Sequence, residues 1–135
     1  MTNKNSNFKK YKLEGLYRSY HENGKLQQEG KYLNNKKHGL WRVYNDNGQL
    51  EQEVSWKEDL QYGITKFYNN NGQLEIEENM KNGKRNGILK WFHKNGRISR
   101  EGNYKNNKKD GIFKYFDENG KLEKEIKYKC GDIII

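Results

Sequence analysis

Two series of glycines run through this chain in step. One is Gly15, Gly39, Gly63, Gly87 and Gly111; the other is Gly24, Gly48, Gly72, Gly96 and Gly120. Both advance by 24 residues with no insertion or deletion. A fixed period of this length marks a repeat architecture, in which one supersecondary unit recurs and stacks on its neighbours. The other columns keep the period. Leu16, Leu40, Ile64, Ile88 and Ile112 follow the first glycine, and Arg18, Arg42, Lys66, Lys90 and Lys114 come two residues later. Tyr20, Tyr44, Tyr68, Phe92 and Phe116 close the first half. Beyond the second glycine stand Leu26, Leu50, Leu74, Ile98 and Leu122, then Glu29, Glu53, Glu77, Glu101 and Glu125, then Tyr32, Trp56, Met80, Tyr104 and Tyr128. The period divides the chain into repeats 15–38, 39–62, 63–86, 87–110 and 111–135, with a half-repeat at 1–14 around Phe8.

Turn chemistry converts the period into geometry. In "YNDNGQL" (44–50), Asp46, Asn47 and Gly48 fit a three-residue hairpin loop with glycine in the left-handed position. Asn45 and Gln49 then close the loop, and Tyr44 faces Leu50. Strict alternation carries this on to Arg42 facing Gln52, Leu40 facing Val54 and Glu53 facing Trp41; in the fourth repeat it sets Glu101 opposite Leu89. The second loop ("NNKKHG", "NGKRNG", "NNKKDG") reverses the chain before the next hairpin. The expectation is an all-β, elongated, single-sheet antiparallel meander of roughly eleven strands, about 50 Å long at ~4.8 Å per strand. Composition agrees: the chain lacks Pro and Ala, and 13% of it is aromatic.

One face of that sheet carries the Leu/Ile, Tyr/Phe and last aromatic columns, interrupted by the basic column, whose stems lie on apolar surface. The other carries Tyr17, Trp41, Phe67, Trp91, Phe113 and Tyr115 beside the Glu column.

"YLNNKKHGLWRVYNDNGQLEQEVSW" and "MKNGKRNGILKWFHKNGRISREGNY" resemble the variant MORN repeat, in its succession of NGK(K/R)xG, an aromatic-rich strand, xNGxL and a second strand. The resemblance runs from about Phe8 to Gly131 and implies an extended antiparallel hairpin array. Bacterial proteins of this kind are often named YwqK-type antitoxins, and MORN arrays elsewhere are linked to membranes, phosphoinositide-kinase chains and scaffolding. The second repeat departs from the pattern, with "KEDLQYG" in place of the basic loop.

The chemistry-bearing candidates give way to structural readings. "GKRNGILK" lacks the spacing, the hydroxyl and the helix of a phosphate loop. His21 and His93 share a turn position filled elsewhere by Asn45, Asn69 and Asp117, and an extended array keeps them about three repeats apart. The Glu column reads as a solvated ladder rather than a glycosidase pair. One cysteine, Cys130, provides neither a disulfide nor a cysteine-based zinc site. No catalytic residue, metal or cofactor is expected.

With no apolar leader or ~20-residue apolar run, the expected setting is cytoplasmic. Net charge is +9, but the second repeat sums to −3 and the fourth to +5. A track for nucleic acid is continuously basic, so this patchwork suits a protein partner better. The expected function is non-enzymatic protein binding, of the antitoxin or immunity type implied by the resemblance. Trp41, Phe67, Trp91, Phe113 and Tyr115 are the partner-binding candidates, as exposed aromatics; the alternative for them is packing along the sheet. One alternative is peripheral binding to anionic membrane through Arg85, Lys90, Lys94, Arg97, Arg100, Lys105, Lys108 and Lys109. Another is a self-associating scaffold, including a homodimer, because open edges and an apolar face invite pairing.

Overall fold

A computed structural model describes residues 12–135; the half-repeat around Phe8 lies outside them. The strands are β1 (Gly15–Tyr20), β2 (Leu26–Leu33), β3 (Lys36–Tyr44), β4 (Leu50–Lys57), β5 (Leu60–Gln61), β6 (Gly63–Tyr68), β7 (Leu74–Lys81), β8 (Lys84–Arg85), β9 (Gly87–Phe92), β10 (Ile98–Lys105), β11 (Lys108–Lys109), β12 (Gly111–Phe116), β13 (Leu122–Lys129) and β14 (Asp132–Ile133). They form one antiparallel sheet in sequence order. Two-residue β5, β8 and β11 are the starts of β6, β9 and β12, each cut off by a single residue before a left-handed glycine. Joined, they leave the expected eleven-strand meander. At Gly63 the later strand holds two extra residues: Trp56 pairs Gln61, yet Glu53 pairs Lys66.

Two turn types alternate along the ribbon. The Asn-Gly loops close as expected: Asn45 N–H donates to Gln49 O at 2.8 Å, and Gly48 takes φ 88. The Asn45 side chain also accepts from the Asn47 and Gln49 amides. The second loops are two-residue turns with both residues left-handed, the type I′ signature. They are Asn34-Asn35, Glu58-Asp59, Asn82-Gly83, Asn106-Asn107 and Cys130-Gly131. The second residue of each donates its amide to a carbonyl 22 positions earlier, as Asn107 does to Arg85 O at 2.9 Å, so each turn clips onto the preceding repeat.

Glu58 is a misfit of this series, a long side chain at φ 51 where three of the other four turns place Asn. Left-handed geometry costs an ordinary L-residue about 1–2 kcal/mol, and Asn tolerates it best after Gly. Glu58→Asn is expected to raise stability by about 0.5–1 kcal/mol in urea denaturation. Asp59 should be kept, because its carboxylate accepts from the Lys37 amide at 2.6 Å.

The expected register fails just after the first turn. Tyr44 pairs Leu50, but Val43 pairs Gln52, so Glu51 is an extra, bulged residue. The same shift recurs in the other hairpins. Arg42 therefore faces Glu53 rather than Gln52, Leu40 faces Ser55, and Trp41 faces Val54; Leu89 likewise faces Gly102 rather than Glu101. A one-residue slip moves every following side chain to the other face. The Glu column joins the basic column, and the last aromatic column joins Trp41 and its equivalents.

Two faces result. On the ladder face, bases and glutamates alternate strand by strand from Arg18 to Glu125, each paired in register with the opposite charge. Arg42 meets Glu53 at 3.2 Å and Arg18 meets Glu29 at 3.3 Å. The Tyr68 hydroxyl donates to Glu53, and this bond is the main cause holding the Glu53 carboxyl below its ordinary 4.5; Arg42 adds to it. Burial, then the Glu53 bond, pushes Tyr68 up from 10.0 to about 12. The signs differ. The Glu53 contribution is present above the ordinary carboxylate pKa and is lost as pH falls through the depressed value. The Tyr68 contribution is present below pH 10 and is lost as pH rises toward about 12. Tyr68→Phe should flatten both limbs of a stability–pH curve measured by denaturant titration.

The core lies on the opposite face. Leu89, Tyr104, Phe113 and Tyr128 form its main cluster, with Ile76, Trp91, Tyr115 and Ile126 packed against it. Toward the first repeat, Tyr17, Tyr32 and Trp41 pack ring on ring at 5.1–5.9 Å. One sheet buries these rings because they lie over glycine and under lysine. Trp41 sits on Gly30 with the Lys37 ammonium 4.8 Å above it; Phe113 sits on Gly102 with Lys109 at 5.1 Å. Between the aromatic ends, Thr65 and Glu78 are buried, and Glu78 is paired with Arg85 at 2.9 Å.

Candidate binding groove

The residues proposed from sequence as one exposed aromatic set divide in two. Trp41 is 1% exposed and Phe113 is 0% exposed, so the expectation that they stand on an open face is corrected: they are the two best-buried rings of the core. Phe67, Trp91 and Tyr115 are half-buried on the same face, one step nearer the Asn-Gly turns. Phe67 pairs Gln52 and Ile76. Trp91 and Tyr115 line an open groove of about 720 Å³.

That groove crosses β7, β9, β10, β12 and β13. Its floor is a row of register neighbours: Ile76 pairs Trp91, Trp91 pairs Arg100, Arg100 pairs Tyr115, and Tyr115 pairs Lys124. The Arg100 guanidinium lies 3.7 Å from the Trp91 ring centre and 5.8 Å from that of Tyr115, and Lys124 lies 4.7 Å over Tyr115. Stacked this way, ring and cation fix each other's rotamers. Glu75, Ser99 and Glu123 also line it. They occupy the position of the bulged Glu51, one residue past each post-turn Leu or Ile. The groove therefore offers rigid aromatic area, two cations and two carboxylates.

The basic set separates as well, over both faces and both edges of the ribbon. Arg85 pairs with Glu78 and covers Tyr104 at 5.4 Å, and Lys109 covers Phe113 and Tyr128. Lys90 sits in the ladder between Glu77 and Glu101, on the other face. Lys105 and Lys108 pair with each other beside the Asn106-Asn107 turn. Lys94 and Arg97 stand at the opposite, Asn-Gly edge, where Arg97 donates to the Asn119 carbonyl. Only Arg100 of this set enters the groove.

Sequence reading set Ile76 and Lys124 on the wrong face because of the bulge; it placed Glu75 and Glu123 on the face of Trp91 and Tyr115 without singling them out. Two of the three histidines brace the array. His21 Nε2 bonds to Tyr44 O and His93 Nε2 to Phe116 O, both at 2.9 Å, joining each turn to the next repeat. Cys130 is exposed in its turn. Among the described residues no group of three or more His, Cys, Asp or Glu side chains could hold a metal, and no helix is long and apolar enough to cross a membrane.

No curated protein matches the chain. The family model for the MORN repeat variant matches residues 13–34, 37–58, 61–82, 85–106 and 109–129. Five tandem matches cover most of the chain and coincide with the hairpins of the sheet, and the chain belongs to the variant MORN-repeat family.

Proposed function

We propose that this chain is a non-enzymatic binding module that holds a protein partner in the groove built on Trp91, Arg100, Tyr115 and Lys124. The observation that carries this reading is the stacked ring–cation row: half-open, pre-organised by its own cross-strand neighbours and mixed in charge. Aromatic and arginine side chains are the types enriched at binding hot spots. Ordering them in advance lowers the entropic cost of association. The resemblance to YwqK-type antitoxins supports a cytoplasmic role in which the partner is a toxin. A flat anionic membrane fits less well, because the fourth-repeat bases divide between both faces and both edges.

The test is affinity capture followed by titration calorimetry of the recovered partner. Trp91→Ala and Arg100→Ala should each weaken binding by at least tenfold, while Lys90→Ala on the ladder face leaves it unchanged. Unaltered affinity in folded Trp91→Ala protein would sink the assignment of this groove. Loss of binding with Lys90→Ala alone would move the contact to the other face. Sedimentation with anionic vesicles at low salt, and no protein partner, would favour the membrane.

A further inference from the structure

The ladder charges and the Leu/Ile column have no part in the groove, and on their face two regularities belong together. Leu16, Leu40, Ile64, Ile88 and Ile112 stand out from alternate strands, between 43% and 69% exposed. Between them lie hollows. One, of about 430 Å³, opens between Leu16 and Leu40 beside Lys31; another, of about 200 Å³, opens between Leu40 and Ile64 beside Ser55. Alongside runs the ladder of ten charges, alternating in sign from Arg18 to Glu125 with a repeat of two strands, about 9.6 Å.

We infer that this face packs against the same face of a second copy of the chain. The two ribbons are related by a two-fold axis parallel to the strands, passing between Lys66 and Glu77. The charge order selects both the occupant and the axis. A surface alternating in sign every 4.8 Å or so offers no net attraction to a uniformly charged partner; only another ribbon of the same period matches it throughout. A two-fold axis along the ribbon would set each charge over its own copy, like on like. The axis parallel to the strands sets the first ladder strand over the tenth and the third over the eighth. The even number of rungs then brings every base over a glutamate: Arg42 over the second copy's Glu101, Lys66 over its Glu77.

The same operation seats the apolar column. The knobs occupy odd strands, and odd strands fall over even ones. The second copy's Ile112 lies over the hollow between Leu16 and Leu40, and its Ile88 over the hollow between Leu40 and Ile64. The contact is isologous and closed, so it ends at two copies. It is an aligned face-to-face sheet packing, about 10 Å between sheets, and leaves the groove open on the outer face of each ribbon.

Sedimentation equilibrium of the full chain between about 1 and 500 µM tests this by mass action. The mass should rise from 16.2 kDa toward twice that value, and less steeply at high salt. Ile64→Asp should hold the chain at the monomer. In a Cys130→Ser background, Ile64→Cys lies nearest its own copy across the axis, and a short thiol-to-thiol cross-linker that spans the gap between the sheets should join the two into a covalent dimer. Leu16→Cys, carried to the far end, should not. A monomer at every concentration overturns the proposal. So does a dimer that survives Ile64→Asp, which would be pairing through the β1 or β14 edge, and so does cross-linking at Leu16→Cys in preference to Ile64→Cys.

Discussion

Trp41→Ala and Phe113→Ala should each cost about 3–5 kcal/mol of unfolding free energy, close to the upper range for buried aromatic truncations. Trp91→Ala should cost markedly less and leave the array folded. The three rings have the same kind of place in the sequence: strand positions a few residues past the anchor glycine. Their surroundings differ. Trp41 rests on Gly30, is roofed by Lys37, touches Tyr17 and Tyr32, and donates its indole N–H to Lys31 O at 3.0 Å. Phe113 has Gly102 beneath, Lys109 above, and Tyr104 and Tyr128 at 5.5 and 5.1 Å. Truncation there leaves a void between backbone and ammonium that two neighbouring rings cannot both fill. Trp91 lies in the open groove, so part of its place returns to solvent. Denaturant unfolding of the three variants decides it. Equal losses would mean that the groove is as closely packed as the core; a negligible loss at Trp41 would remove the stacked-ring account of how one sheet makes a core.

That contrast also marks where the sequence stops being readable. The 24-residue period, the glycine positions and the loop chemistry fixed strand order and hairpin closure, because those depend on local φ requirements. The facing of side chains after the turn was not fixed. Leu50-Glu51-Gln52-Glu53-Val54 alternates equally well in either register, and the pair Tyr44–Leu50 is common to both. The residue that decides, Glu51, carries no turn signature. One signal was present: the basic and glutamate columns lie 11 residues apart in every repeat, and opposite charges favour direct cross-strand pairing. Reading Arg42 against Glu53 would have placed the bulge. The groove was half legible. Trp91, Tyr115 and Arg100 were singled out for different reasons, but Lys124 and Ile76 needed the corrected register. The buried state of Trp41 and Phe113 was hidden for another reason. Their roofs, Lys37 and Lys109, lie in β3 and β11, within stretches that the sequence presents as basic loops.

Gly102→Ala should destabilise the protein by about 1–3 kcal/mol although a single methyl is added at a β-compatible backbone position. The methyl would enter the face of the Phe113 ring, and Gly30→Ala would do the same to Trp41. The loss is steric, and it points to a rule within the array. The column Gly30, Val54, Glu78, Gly102 precedes by 11 residues the column Trp41, Thr65, Leu89, Phe113. Where the first member is glycine the second is a large ring; where the first is Val54 or Glu78 the second shrinks to Thr65 or Leu89. All six non-glycine members of these pairs are buried. Volume is therefore conserved across each junction between hairpins, as close packing requires. It follows that Phe113→Leu should partly rescue Gly102→Ala, because that pairing approaches the bulk-on-Leu junction of Glu78 and Leu89. The double variant should be more stable than the sum of the single losses by about 1–2 kcal/mol, a coupling expected only of residues in contact. Strict additivity in a denaturant double-mutant cycle would mean that the ring moves aside without cost, and that the two columns are filled independently.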